Sequence, residues 1–194
     1  MASTLQAKYD IPVRPPNGYH STRPPGFGTG PLCEVCGLSV YVELGGGNTD
    51  PECCHPNIDL RQVPGVDIVH DLNKGIPLHD EHAMILRTIH MPQHLHFKNV
   101  RPFFKECYRV LRHKGMFWLM VTDLDYVFDK IRQEGFTDSW VRSIWGEQEH
   151  EGDFHTHGFN FVYLARLLEE AGFKQIRHKG WSQAWEFKVQ CFKL

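Results

Sequence analysis

Three consecutive glycines, Gly45, Gly46 and Gly47, follow the β-favouring segment at 39–44. Glycine has no Cβ, so the backbone of such a loop can approach a ligand closely. In open α/β sheets, ligands bind at the carboxyl ends of strands, where this loop would lie. Glu43 directly precedes the glycines and can face a cationic group. The segment therefore predicts a ligand-binding loop with an acid at its start.

Two aspartates close the next two strand candidates. Asp59 lies in a short β-favouring stretch at 57–60, and Asp71 follows a longer one at 66–70. An acid at the end of the second strand can bind the two hydroxyls of a ribose. Asp71 can accept a hydrogen bond from an adenine amine. A triple glycine alone is often a plain turn, so the ordered set of loop and two acids carries the prediction of a nucleoside site.

The elements that must position these residues alternate between strand and helix. Strands are predicted at 39–44, 57–60, 66–70, 83–89, 116–122, 173–177 and 185–192, and helices at 99–111, 126–133 and 161–171. The last helix has Asn160 as its cap and Gly172 as its stop. This alternation predicts an α/β sheet in a single domain at 38–194. The segment 1–37 is rich in Pro and Gly and is predicted to form an extended arm or a lid over the domain, or to be partly disordered.

The order of these motifs resembles that of class I S-adenosylmethionine-dependent methyltransferases, particularly a small bacterial group of predicted methyltransferases. The matching stretches are Glu43-Leu44-Gly45-Gly46-Gly47, Asn57-Ile58-Asp59, Ile68-Val69-His70-Asp71-Leu72, Gly75-Ile76-Pro77, 105–111 and 167–173. The resemblance implies a single Rossmann-like, seven-stranded, mostly parallel sheet flanked by helices, with the last strand antiparallel. It also implies S-adenosylmethionine as the cofactor.

The resemblance assigns a part of the cofactor to each motif. Glu43 with Gly45, Gly46 and Gly47 would hold the methionine part. Asp59 would hold the ribose, and Asp71 with Leu72 would hold the adenine. Only eleven residues separate Gly47 from Asp59, so the helix that usually follows the loop is expected to be shortened or missing.

Histidines mark the expected acceptor side. His90 follows the strand predicted at 83–89, where the family's reactive face lies, and a neutral imidazole there can accept a substrate proton. His155 and His157 lie on a loop that by resemblance crosses the mouth of the site, so we assign them to the substrate side. The group's usual His-x-Leu-Glu-His is replaced here by His90-Met91-Pro92-Gln93-His94, which alters the acceptor site.

The resemblance implies a methyltransferase, and we expect it to act on a small-molecule or glycan-type acceptor. Two alternatives stay open. The altered acceptor site at Pro92 and Gln93 is consistent with a non-catalytic binding or interaction module that keeps the fold. A dehydrogenase-like dinucleotide binder is weaker, because the full Gly-x-Gly-x-x-Gly is absent.

Composition limits the partners. The 194 residues carry a formal net charge of −2, which disfavours nucleic acid as a partner, and no apolar run reaches the length of a membrane span.

Without a signal peptide the six cysteines are expected to be reduced thiols in a cytoplasmic protein. Cys33-x-x-Cys36 with Cys53 and Cys54 has the ligand number of a zinc site, but an adjacent pair is poor ligand geometry. We therefore predict no metal, and the sequence leaves the oligomeric state open.

Overall fold

A computed structural model describes residues 8–9, 11–12, 30–48 and 56–194. Their seven strands form one sheet in the order β3-β2-β1-β4-β5-β7-β6. The strands are β1 (Tyr41–Leu44), β2 (Asn57–Asp59), β3 (Ile68–Val69), β4 (Ala83–Ile89), β5 (Leu111–Thr122), β6 (Lys174–Gln183) and β7 (Glu186–Phe192). Strands β1 to β5 pair in parallel, and β7 pairs antiparallel with both β5 and β6. The expected sheet with an antiparallel last strand is confirmed.

Four helices flank this sheet in the described part of the chain: α1 (Val100–Val110), α2 (Leu124–Glu134), α3 (Asp138–Trp145) and α4 (Phe161–Ala171). The predicted ends of α4 are confirmed. The Asn160 side chain accepts a hydrogen bond from the Tyr163 N–H, and Gly172 ends the helix in the left-handed conformation. The sequence did not predict α3. Among the described residues, no helix combines the length and the apolar character needed to cross a bilayer.

The core lies between the sheet and its helices. Helix α1 buries an apolar face whose Phe104 packs on Phe117 of β5, with ring centroids 6.3 Å apart. Burying a side chain of this size stabilises the fold by about 1.5–3 kcal/mol. Helix α1 therefore fixes β5, whose carboxyl end reaches the site described below.

Strand β7 lies inside the sheet, between β5 and β6. Because neighbouring strands cover both of its edges and side chains cover both faces, its polar residues Glu186 and Lys188 are buried. A charged side chain in such a position requires a partner. Glu186 finds one in the candidate site.

Only part of the predicted arm falls within the described residues. Tyr9 is buried and packs edge-on against Phe161 of α4, with ring centroids 5.6 Å apart. Most of the rest of the arm lies outside the described residues, as do 49–55 and with them most of the predicted short connection to Asp59.

Candidate functional site

The glycine loop adopts a backbone that requires glycine. Gly45 and Gly47 have φ values of 71° and 54°, in the left-handed region. A Cβ on Gly45 would lie 2.0 Å from Cγ of Met91, which begins the short 3-10 helix Met91–His94 after β4. The loop therefore packs directly against this 3-10 helix, and any side chain at position 45 would force the loop or Met91 to shift.

Asn57 and Asp59 hold the loop from the neighbouring strand β2. The Asn57 side chain accepts a hydrogen bond from the Gly46 N–H (3.1 Å) and donates one to the Gly47 carbonyl (3.0 Å). The Asp59 carboxylate accepts a hydrogen bond from the Gly47 N–H (2.8 Å). Asn57 is fully buried, so these bonds are shielded from water. The sequence indicated Asn57 only as part of a motif, and its positioning role was missed.

Glu43 is enclosed within the sheet. It is fully buried and forms an ion pair with Arg87, the residue opposite it on β4. The pair ties β1 to β4 just before the glycine loop. Glu43 does not line the cleft described next.

A cleft opens at the carboxyl ends of β1 to β4. Its walls combine acids with apolar side chains: Gly45, Asp59, Leu60, Arg61, His70, Asp71, Leu72, Asn73, Ile89, Met91, His94, Leu95 and the loop 150–153. Burial raises the pKa of Asp71, but hydrogen bonds from Asn73 and the nearby Lys74 outweigh it and hold that pKa below its ordinary value. Four of the predicted cofactor residues thus line one cleft, whereas Glu43, Gly46 and Gly47 do not.

A second pocket, lined mostly by polar residues, adjoins the cleft and shares His94 and Asp153 with it. Its other lining residues are His90, Gln93, Thr122, Asp138, Ser139, Arg142, Ser143, Glu147, His155 and Trp185. Two of the predicted acceptor-side histidines, His90 and His155, therefore lie in one pocket.

His90 forms a dyad with a buried carboxylate. Its Nε2 lies 2.9 Å from Oε2 of Glu186, and its ring stacks on Trp185 with centroids 5.8 Å apart. Glu186 also accepts a hydrogen bond from the Ser182 hydroxyl. An ionised carboxylate only accepts hydrogen bonds, so Nε2 carries a proton and donates to Glu186, which leaves Nδ1 as the ring nitrogen that can accept one. His90 itself has a left-handed φ of 57°, so the backbone departs from the extended conformation of β4 at this residue.

Gln93 organises the loop on the other side of the pocket. Its side-chain amide contacts Nε2 of His155 at 2.8 Å, and its Oε1 accepts a hydrogen bond from the Thr122 N–H at 3.2 Å. Nδ1 of His155 lies 3.1 Å from the Ser143 carbonyl and therefore donates to it. The Gln93 amide thus donates to an unprotonated Nε2, which a carboxylate at position 93 could not do.

The imidazoles beside Gln93 are neutral near pH 7. Burial and the neighbouring His155 lower the pKa of His94 to about 4. Burial also lowers the pKa of His155, and the two rings are 4.8 Å apart. His94, which lines both the cleft and the pocket, and His155, which lines the pocket, therefore offer hydrogen-bonding groups without positive charge.

His157 lies apart from both pockets. It is packed against Phe159 and Tyr163, and its Nε2 has no hydrogen-bond partner among the described residues. Burial lowers its pKa. This environment is apolar, unlike that of His155.

Sequence reasoning missed the partner of His90 and the helix that lines the pocket. Glu186 was not singled out, because it alternates with apolar residues as an exposed polar residue of a strand does, and its burial follows from the position of β7 inside the sheet. Arg142, Asp138 and Ser139 come from α3, which was missed although Thr137 caps it, Gly146 ends it and its apolar residues at 140, 141, 144 and 145 recur at helical spacing.

The similarity of this chain to known proteins lies in its fold. Neither a protein-family model nor a curated protein sequence matches the chain. Solved structures do match it. A protein from Thermotoga maritima described as a SAM-dependent methyltransferase, possible histamine N-methyltransferase, has a TM-score of 0.58 at 15% identity, over 79% of this chain and 81% of that one. A SAM-dependent methyltransferase from Mesorhizobium loti has a TM-score of 0.54 at 16% identity, over 83% and 93%.

Human N-acetylserotonin methyltransferase, solved in complex with SAM, has a TM-score of 0.50 at 14% identity. The match covers 80% of this chain and 48% of that one. The chain has the class I methyltransferase fold. The resemblance noted in the sequence is confirmed at this level, including the position of the glycine loop at the end of β1.

Proposed function

We propose that this protein is an S-adenosylmethionine-dependent methyltransferase that acts on a small, polar, hydroxyl-bearing acceptor. The observation that carries the proposal is the pairing of a nucleoside-type cleft with a polar pocket that shares His94 and Asp153 with it. Two ligands bound side by side in this way bring their reacting groups together, which is the main source of acceleration in a displacement reaction.

The residues of the cleft fit the cofactor. Asp59 uses one lone pair of Oδ2 for the Gly47 N–H and one of Oδ1 for the Arg61 N–H. The Arg61 side chain also pairs with Oδ1, with its Nε 3.5 Å away. A carboxylate offers about four lone-pair sites, so at least one remains for a ribose hydroxyl. Asp71 would accept from the adenine amine, and Leu72 would pack on the ring. Bound S-adenosylmethionine would supply a methyl group activated by a sulfonium.

We assign the remaining predicted cofactor residues an indirect role. Gly46 and Gly47 hold the loop through their bonds to Asn57 and Asp59. Glu43 fixes the strand ends through Arg87. The loop rather than the Glu43 carboxylate would then meet the methionine part.

The polar pocket supports a hydroxyl acceptor. A hydroxyl must lose its proton as its oxygen gains the methyl group, and a general base is needed for that step. His90, oriented by Glu186, is such a base, and the hydroxyl proton would pass to Nδ1. Asp138, Arg142 and Glu147 would hydrogen-bond to further hydroxyls of a polyol or sugar-like molecule.

Turnover assays test the proposal. Formation of S-adenosylhomocysteine is measured with a panel of small alcohols, sugars and amines. His90→Gln keeps an amide nitrogen near Nε2 and should lower kcat by about 10²–10⁴ while leaving cofactor affinity unchanged. The control is His96→Gln, an exposed histidine that lines neither pocket.

Other outcomes refute parts of the proposal. Cofactor binding without turnover on any acceptor contradicts catalysis and favours the non-catalytic module. Turnover of amines alone, unaffected by His90→Gln, contradicts the hydroxyl acceptor.

A further inference from the structure

Two cysteines and two histidines converge before the amino ends of β1 and β4. Sγ of Cys33 lies 3.3 Å from Nε2 of His79, and Sγ of Cys36 lies 3.5 Å from Nδ1 of His82. The two histidine nitrogens are 3.3 Å apart. All four atoms lie within 4.8 Å of one another.

The two sulfur–nitrogen contacts and the nitrogen–nitrogen contact match the distances in a tetrahedral zinc site. With Zn–S of about 2.3 Å and Zn–N of about 2.0 Å, a tetrahedron places a sulfur and a nitrogen ligand roughly 3.5 Å apart and two nitrogens roughly 3.3 Å apart. Two thiolates and two imidazoles are also an established zinc donor set. The cluster therefore has the size and the chemistry of a four-ligand zinc centre.

The other nitrogen of each ring is fixed by a carbonyl. Nε2 of His82 lies 2.9 Å from the Ser39 carbonyl, and Nδ1 of His79 lies 2.7 Å from the Asp80 carbonyl. A carbonyl only accepts, so these nitrogens carry the protons. The two nitrogens that face each other across 3.3 Å are then the ones that can bind a metal ion. Metal-binding histidines are held in this way, with the other ring nitrogen donating to a carbonyl.

The cysteines come from a tight turn. The Gly37 N–H donates to the Cys33 carbonyl (2.8 Å), and the Cys33 N–H donates to the Leu38 carbonyl (2.6 Å). Gly37 has a φ of 73°, which glycine adopts without strain. This turn brings both sulfurs of Cys33-x-x-Cys36 to one side, and both are free thiols.

The position of the cluster indicates a structural role. Cys36 is followed within a few residues by β1, and His82 immediately precedes β4, the parallel neighbour of β1. The candidate cleft lies at the opposite, carboxyl ends of these strands. Cys33 and His82 are buried, and four protein ligands leave no coordination position for a substrate.

We propose that Cys33, Cys36, His79 and His82 bind one zinc ion, which fastens the segment before β1 to the start of β4. From the sequence alone we predicted no metal, and this proposal departs from that prediction. The four-thiolate interpretation with Cys53 and Cys54 involves residues outside the described part of the chain. The equal spacing of Cys-x-x-Cys and His-x-x-His was the available signal.

Metal analysis of the full-length, tag-free protein tests the proposal. We expect about one zinc per chain by inductively coupled plasma mass spectrometry, retained after gel filtration. Cys36→Ser and His79→Ala should each lower the zinc content at least tenfold. Both residues are exposed, so circular dichroism should show that the variants fold. His113→Ala, an exposed histidine of β5, is the control and should keep its zinc.

Cobalt provides a second readout. Protein loaded with Co²⁺ should show the d–d bands of a tetrahedral ion and a thiolate charge-transfer band, and Cys36→Ser should lose both. Parent protein without bound zinc and without these bands overturns the proposal. Zinc retained by both variants at the parent level also overturns it, as does a thiol count that shows Cys33 and Cys36 joined in a disulfide. None of these results depends on S-adenosylmethionine binding.

Discussion

Replacing Gly45 with alanine tests whether the glycine loop has to pack against the residues after β4. The added Cβ would lie 2.0 Å from Cγ and 2.4 Å from Cβ of Met91, and Gly45 has a φ of 71°. The variant therefore meets two separate costs. One is the left-handed backbone, and the other is the collision with Met91.

The two costs differ in origin and can be separated by a control. A left-handed conformation costs a non-glycine residue about 1–2 kcal/mol, and overpacking costs about 1–3 kcal/mol. We expect Gly45→Ala to lower the free energy of unfolding by about 2–5 kcal/mol. Gly180→Ala has a similar positive φ of 86° with no atom within 4 Å of the new Cβ, so it should lose only the backbone part.

Urea denaturation measures both variants, and titration with S-adenosylhomocysteine measures the effect on the cleft. Since Gly45 lines the cleft and the loop must shift, we expect cofactor affinity to fall at least tenfold, or about 1.4 kcal/mol. Gly180→Ala should bind as the parent does. Equal unfolding midpoints for the two variants, or unchanged affinity in Gly45→Ala, would refute the packing argument.

Three further predictions concern the polar groups of the site. Asn57→Ala removes the bonds to Gly46 and Gly47 and should cost about 1–3 kcal/mol per polar group left unsatisfied, measured by urea denaturation. Arg87→Met leaves the Glu43 carboxylate buried without its ion-pair partner and should destabilise by about 3–5 kcal/mol, and the double variant Glu43→Gln/Arg87→Met should recover part of this loss. The third concerns acid stability. The unfolded chain binds a proton at His94 near pH 6.5, whereas the folded pKa is about 4. Stability should therefore fall as the pH drops from 6.5 to 4, by up to about 3 kcal/mol.

Each of these has a result that contradicts it. An Asn57→Ala protein as stable as the parent would show that the clamp on the glycine loop contributes nothing. A double variant no more stable than Arg87→Met would argue against the ion pair. The His94→Asn variant keeps an amide near the Phe154 carbonyl and cannot be protonated, so it should lose this part of the acid sensitivity. His113→Asn should keep it, and equal pH profiles for the two variants would exclude His94 as the cause.

Sequence patterns predicted the parts of the fold that depend on local signals. Strand β4 and helix α4 match their predicted bounds, because the helix has its own cap and stop residues and five of the seven residues of the strand are apolar. Helix α3 was missed although it carries similar local signals: a Thr137 cap, a Gly146 stop and apolar residues at helical spacing. It is only eight residues long, and Val141 and Trp145 on its apolar face are exposed.

In the candidate site, local signals identified some residues but not the contacts between residues far apart in the chain. Gly45, Asp59 and Asp71 were found because each follows its own strand along the chain. The His90–Glu186 contact joins residues 96 positions apart, and the cysteine and histidine pairs are 46 positions apart. Only the order of strands in the sheet brings such groups together, and local sequence does not encode that order.

Calorimetric titration of the purified protein with S-adenosylhomocysteine tests the central claim most directly, with Asp59→Ala measured beside it. We predict one binding site per chain and an affinity at least tenfold weaker in the variant, which removes the carboxylate that we assign to the ribose. An absence of binding, or equal affinity in the two proteins, would contradict the assignment of this cleft to the cofactor.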